Sequence, residues 1–315
     1  MKVFVFIACL IITITAELND YEQWISFKTE YSRHYEHTDD KLRFEIFQNR
    51  LREIEDHNAK YERGEVEWFT GVNQFTDWTE EEIQSLSNGQ ASTKSIFKDS
   101  LGIYQADSNQ KLPASVDWRK NGAVLPVRHQ GQTSACWIFA GLGAVEGQIA
   151  IHKKQKISLS PQNIIDCYPT GDQTGYFENA YQFVKDHGIS SEADYPFVAK
   201  RGTCKKDLPK VITTLSGYKQ IKQSEYDLIS AIANIGPVAV SVSVRDWITY
   251  KGGVFNKTDC ATELTTHAVL AVGYTEDYIT IKNTWGAGWG DKGFMNIARG
   301  QNICRINDRG AYPIL

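Results

Sequence analysis

Apolar positions along the chain fall into three patterns, and each predicts a different element. Within the charged stretch 20–63, Phe44, Phe47, Leu51 and Ile54 step by three, four and three, which is one face of a helix. The other sides of that helix are polar, so it has to lean on a second surface to persist. From 136 to about 153 the pattern changes. Small and apolar residues (Phe139, Ala140, Leu142, Gly143, Ala144, Ile149, Ala150) occur on all sides, which predicts a buried helix with Ser134 as its N-cap. Later still, Val238, Val240, Val242 and Val244 alternate with Ala239, Ser241 and Ser243, a strand signature. HAVLAVGY from 267 and YITIKNTW from 278 predict two more strands around a Thr275-Glu276-Asp277 turn. Helices early and strands late predict an α+β chain of two lobes. Between the acidic first part and this body, residues 86–111 are rich in Ser, Asn and Gln and nearly patternless, which reads as an exposed linker open to proteolytic nicking. The chain changes character at LPASVDW from 112. No repeat of 20 to 50 residues is visible.

The first sixteen residues carry Lys2 and then an apolar run ending at Ala16, the make-up of a signal peptide. The run is short for a membrane anchor, and no other segment is apolar enough to span a bilayer. Export to the secretory pathway, with a secreted or lysosomal destination, is therefore expected, in an environment where disulfides persist. With 315 residues and 42% hydrophobic content the chain can bury a large core and make about two domain-sized units. Its net charge of −4 hides a division: residues 1–111 hold 12 basic and 20 acidic side chains, and residues 112–315 hold 22 and 18. The two parts have opposite signs, which suggests that the first lies against the second. No run of five Lys or Arg occurs, so a nucleic-acid partner is not indicated. Six cysteines are present; loss of Cys9 with the signal peptide leaves Cys136, Cys167, Cys204, Cys260 and Cys304. An odd number leaves one thiol over or implies an intermolecular bridge.

HQGQTSACWIFA, from 129, raises the question of what Cys136 does. A thiol attacks as thiolate, and a cysteine in the first turn of a helix feels unpaired backbone N–H groups and the positive dipole end, both of which favour the charged form. An imidazolium beside it would add to this. Three of the seven histidines (His34, His37, His57) lie in the acidic first part, whereas His267 opens a predicted strand. A symmetric hairpin centred on Thr275 sets His267 opposite Asn283, and cross-strand partners have Cβ atoms about 4.5 to 5.5 Å apart. Asn283 would then hold one imidazole nitrogen and leave the other for the thiol. Gln130 and the Cys136 backbone N–H would supply an oxyanion hole.

HQGQTSACW, THAVLAVGY and KNTWGAGWGD together resemble the papain-like cysteine proteases of the cathepsin L branch, and the 131 residues between Cys136 and His267 fit that family's spacing. The acidic first part agrees. Asp39, Arg43, Phe47, Ile54 and Asn58 fall at the intervals of the family's inhibitory propeptide helix, with Arg50 where an Asn is usual, and Gly71, Asn73, Phe75 and Asp77 match its second propeptide motif. The resemblance covers residues 20–315. It implies a zymogen: signal peptide 1–16, propeptide 17–111, and a papain-like peptidase domain 112–315 with a helical lobe to about 215 and a β-barrel-like lobe from about 216. It implies Cys136 as nucleophile, His267 as general acid and base, Asn283 as imidazole orienter and Gln130 as oxyanion donor. Trp285 would shield the His267–Asn283 pair and Gly175 would offer its backbone to substrate. Tyr176, Ser241, Thr265 and Ala268 would line the second subsite with Arg309 at its far end, an outward, solvated Arg309 being preferred. It also implies the bridges Cys167–Cys204 and Cys260–Cys304, which leaves Cys136 free. The chain departs from the family where Thr133, Ser134 and Ala135 replace Cys-Gly-Ser, and the missing cysteine's partner, expected near Asp172, is missing too. Thr174 stands where a Gly is usual.

Other chemistries find little support. GLGAVEG from 141 has one residue too many for a dinucleotide fingerprint, and GAGWG from 286 opens no helix. No C-x-x-C or H-E-x-x-H occurs, so no metal and no cofactor is expected. Asn256-Lys257-Thr258 is a glycosylation sequon. The partners expected are protein and peptide substrates and the chain's own propeptide, with no nucleic acid or membrane, acting on a monomer. The rival reading is a catalytically silent homologue that binds peptides, motivated by the altered 133–135 loop. A leader-type protease inhibitor does not fit, because the catalytic part is complete.

Overall fold

The computed structural model describes residues 19–87, 100–171, 173–205, 210–262 and 264–315. The signal-peptide reading and Asp172 lie outside them. Two helices open the chain, α1 over 19–30 and α2 at His37–Glu62. The stepped face of α2 does turn inward: Phe47, Leu51 and Ile54 are buried, and Phe47 and Leu51 meet Trp24 and Phe27 of α1. Strand β1 (Trp68–Thr70) and the short helix α3 (Glu80–Ser85) follow. Thr79 and Glu82 cap α3 reciprocally, which explains how six residues hold a helix.

The segment 100–111 differs from the patternless linker that its composition predicts. Ser100–Tyr104 forms strand β2, with Leu101 and Ile103 facing outward, so no alternation betrays it. β3 (Val116–Asp117) precedes the buried helix α4 (Cys136–Lys153), α5 (Pro161–Cys167) and α6 (Phe177–His187). The later part contains β4 (Gly217–Ile221), α7 (Glu225–Asn234), β5 (Val238–Val242), β6 (Tyr250–Phe255), β7 (His267–Tyr274), β8 (Tyr278–Lys282), β9 (Phe294–Ala298) and β10 (Gly310–Ile314). Among the described residues the strands form one sheet in the order β1-β6-β9-β8-β7-β5-β10-β4-β2, with β3 added on β7. Both ends of that row are therefore supplied by segments preceding residue 112: β1 pairs with β6 and β2 with β4. An uncovered strand edge invites further pairing, and β1 and β2 take up the edges that β6 and β4 would otherwise leave open.

Helix α4 is apolar all round because everything around it is protein. Cys136 to Ile149 are buried, and the helix packs on α6 and on β7, its small residues allowing close approach. A Cβ on Gly143 would lie 3.1 Å from Leu270 of β7, and one on Gly141 would meet Ala180 of α6 at 3.0 Å. One apolar core surrounds α4 and α6; a second lies among α7, β5, β8 and the tryptophans 247, 285 and 289. The cleft between them is where the N-terminus of α4 faces the start of β7.

Candidate active site

Helix α4 begins without a side-chain cap. Ala135, not Ser134, is the N-cap residue, and no side chain satisfies the first-turn N–H groups. The reason lies in what those groups do: the backbone N–H of Cys136 and of Trp137, together with that of Ala268 on β7, are directed at the Cys136 sulfur. A capping hydroxyl would compete for them. Cys136 is the free cysteine among the described residues, since Cys167 is bonded to Cys204 and Cys260 to Cys304.

His267 and Asn283 meet, though not by the symmetric hairpin. The β7–β8 ladder pairs Leu270 with Lys282 and Gly273 with Thr280, with an irregularity between Ala271 and Gly273, so its centre lies past Thr275 and Asn283 falls beyond the end of β8. The side chains still join, His267 Nε2 to Asn283 Oδ1 at 2.8 Å. The Thr284 N–H also donates to that oxygen at 2.8 Å, which fixes the amide's orientation. The rings of Trp285 and His267 lie 5.1 Å apart and Trp285 is buried, so water is kept from the pair. Behind Asn283, burial lowers the pKa of Lys282 to about 8, with Glu146 acting in the opposite sense.

Gln130 is fully buried beside this pair. Its Oε1 accepts from the Thr284 hydroxyl at 2.5 Å, which turns its Nε2 toward the cleft. That nitrogen donates to the Leu86 carbonyl at 3.2 Å. The first part of the chain thus occupies the site in person. Gln74 Nε2 donates to the Trp285 carbonyl at 2.6 Å, Asn73 Nδ2 to the Ile248 carbonyl at 2.8 Å, and the Phe75 ring lies 5.9 Å from that of Trp285.

This occupation changes the electrostatics from those expected of the residues alone. Burial pushes the Cys136 thiol up to about 12 and the three backbone N–H groups only partly oppose it. Burial likewise lowers the His267 pKa to about 4 despite Asn283 and the Leu86 backbone. Burial thus disfavours charge on both the sulfur and the ring while residues 19–87 are in place. The cause is dehydration, which disfavours charge on either group.

Ser241 pairs with Ala268 across β5 and β7, Gly175 lies against the Trp137 ring where a Cβ would approach within 2.5 Å, and Thr265 is half-buried. Arg309, however, points inward and not to solvent. Its Nε donates to Glu178 Oε1 at 3.0 Å, and its guanidinium lies 3.8 Å from the centre of the Tyr176 ring. Glu178 is 4% exposed and burial raises its pKa, with Arg309 pulling the other way. Its partner is 131 residues distant. Sequence reasoning missed Glu178 because one acidic residue in the first turn of α6 looks like ordinary helix-dipole complement.

Among the described residues no cluster of His, Cys, Asp and Glu has the arrangement of a metal site. Gln130, Asn283 and His267 are linked through Thr284, and the Cys136 sulfur lies against the N–H of Ala268, the residue after His267.

Comparison with known proteins agrees. Residues 112–314 match the family described as papain family cysteine protease, and residues 24–83 match the cathepsin propeptide inhibitor domain (I29). A cathepsin L-like proteinase of Phaedon cochleariae is 38% identical with 100% of both chains covered. Procathepsin L of Mus musculus is 32% identical over 93% of this chain and 92% of its own. The structure of digestive procathepsin L2 proteinase from the larval midgut of Tenebrio molitor superimposes with a TM-score of 0.89 at 37% identity, covering 94% of this chain and 100% of the other.

Proposed function

Since the chain belongs to the papain family of cysteine proteases and carries a propeptide inhibitor domain, we propose that it is an endopeptidase of the secretory pathway, secreted or lysosomal, whose chemistry rests on Cys136, His267, Asn283 and Gln130. The single observation that carries this assignment is the 2.8 Å link between His267 Nε2 and Asn283 Oδ1 beside the free thiol at the uncapped start of α4.

Residues 19–87 hold the site dry and uncharged; their departure readmits water, and the proton of Cys136 passes to His267. The thiolate is then stabilised by the imidazolium, by the N–H groups of Cys136, Trp137 and Ala268, and by the start of α4. It attacks the peptide carbonyl, whose oxygen is received by Gln130 Nε2 and the Cys136 N–H. His267 protonates the leaving amine, and water activated by the same ring releases the acyl-enzyme. Asn283 keeps the ring aimed throughout. In the Cys136→Ala protein, peptide turnover after removal of the leader is expected to vanish; retained turnover would end the assignment.

Specificity follows from the Glu178–Arg309 pair. Each charge at the floor of the second subsite is answered by the other, so the pocket suits an uncharged side chain two residues before the cut. An acidic side chain gains little there, because Glu178 already holds the guanidinium. Arg309→Ala leaves a buried carboxylate and is expected to shift a substrate library toward Lys and Arg at that place; an unchanged profile would remove the pair from the specificity account.

A further inference from the structure

The loop from Gln130 to Cys136 carries both the proposed oxyanion donor and the nucleophile, and no disulfide anchors it, because position 133 is threonine and Cys136 is unbridged. Thr133 instead forms a reciprocal clasp with Gln130. Its hydroxyl donates to the Gln130 carbonyl at 2.7 Å, and its own carbonyl accepts from Gln130 Nε2 at 2.6 Å. The same hydroxyl accepts the Ala135 N–H at 3.4 Å, one residue before the nucleophile. Thr133 is 4% exposed, so water offers these groups no ready substitute.

An amide nitrogen has two hydrogens. One is taken by the Thr133 carbonyl, which leaves the other directed into the cleft, where it now meets the Leu86 carbonyl. Thr284 fixes which end of the amide faces that way; Thr133 fixes where the amide's backbone sits. An oxyanion donor works only when it lies within about 3 Å of the oxygen that becomes negative, so a small relaxation of its loop is felt in the transition state far more than in substrate binding.

We infer that Thr133 is a positioning residue for acyl transfer: its hydroxyl holds the 130–136 loop by hydrogen bonds so that the remaining N–H of Gln130 points at the developing oxyanion. This rests on the assignment of Gln130 as donor and of Cys136 as nucleophile.

The test uses the matured protein and the isosteric Thr133→Val, which removes only the hydroxyl. Peptide turnover and alkylation of Cys136 by iodoacetamide are measured side by side. Alkylation needs the thiolate but no oxyanion hole. The expected result is a fall in kcat of about tenfold, a fraction of the 10²- to 10³-fold that loss of a whole donor brings. KM and the alkylation rate are expected to stay within about twofold, Thr133→Ser within about threefold of wild type, and Thr133→Val without effect in a Gln130→Ala background. Unchanged kcat, or kcat and alkylation falling together, or an undiminished effect in the Gln130→Ala background, would overturn the inference. Should Thr133→Val not fold, Thr133→Ser decides alone, since a tenfold loss with the hydroxyl kept would also overturn it. Failure of the underlying assignment looks different: wild-type protein would then be inactive, or Cys136→Ala active.

Discussion

Residues 19–87 and the body beginning at Leu112 keep their shape by different means. The leader has one small cluster of its own, Trp24, Phe27, Phe47 and Leu51, sends Trp68, Phe75, Trp78 and Leu86 into an apolar core of the body, and between these holds buried polar and charged groups. Asp77, fully buried, accepts from Tyr35 and from Arg33, while Arg43 bonds both carboxylate oxygens of Glu82 and the Asp77 carbonyl. The body instead surrounds α4 and the central strands with two extensive apolar cores and two disulfides. Apolar burial is indifferent to pH, whereas buried titratable groups are not. The leader is built so that a change of proton activity or one polar substitution loosens it and leaves the enzyme beneath intact.

The largest effect is expected at Asp77. Replacing it by Ala leaves Arg33 and Tyr35 facing a dry space, and breaking a buried pair in this way costs about 3 to 5 kcal/mol. The open fraction of the proform should rise on the order of 10²- to 10³-fold. This is read as the rate at which a thiol-directed epoxide labels Cys136 in the intact chain, relative to matured enzyme under the same conditions. The melting temperature of the matured body should not move. If the body softens too, the two regions are not separable as described.

Acid should act next most strongly, and the signs decide which groups are responsible. Burial lowers the pKa of His57, His129 and His267, all near the contact between the regions. A histidine whose folded pKa is lowered contributes stability above its free value near 6.5 and loses it as pH falls toward the folded pKa. His267 adds nothing to this balance, because on release its proton comes from Cys136 and none is taken from solution. Asp77 works in the other direction, since burial raises its pKa and its neutral form suits the fold. Leader release should therefore set in below about pH 6.5, above the range of free carboxylates, through His57 and His129, with relative labelling rising as pH falls to 4.5. Onset only below pH 4.5 would return the role to the leader's excess of acidic side chains.

The groups proposed for catalysis could be picked out from the chain because each sits in a short run whose chemistry is local, and because the missing partner of one thiol can be counted. What register alone offered was imprecise. The irregularity around Val272 moves the hairpin centre, and His267 reaches Asn283 only because Asn283 has left the ladder, its N–H going to the Gly293 carbonyl at 2.9 Å. Ser134 has the chemistry of a helix cap, but the N–H groups it would satisfy face the sulfur. Leu86 gave no sign, because it acts through its carbonyl, which every residue has. Glu178 and Arg309 find each other across a fold that neither local sequence describes. Composition misplaced 100–104 for a similar reason: β2 is held by backbone pairing with β4, which any side chain permits, while its Leu101 and Ile103 are exposed.

Strand β2 supplies the finest test of the comparison, since it precedes residue 112 yet is attached to the body by backbone pairing with β4. The Tyr104 carbonyl accepts from Lys222 at 3.0 Å, the Ala106 N–H donates to Asp227 at 2.6 Å, and the Tyr226 hydroxyl holds the carbonyls of Asp107 and Gln110, each at 2.9 Å. These partners lie on α7 and the turn before it, and none of these bonds involves His57, His129 or His267. Amide exchange in the uncleavable Cys136→Ala proform at pH 4.5 should therefore divide the first part in two. Peptides from 68–86 should lose protection by about the factor by which labelling rises, while those from 103–107 change by less than about threefold. Equal loss in both would make everything before residue 112 one releasable unit and confine the pH-insensitive attachment to the body alone.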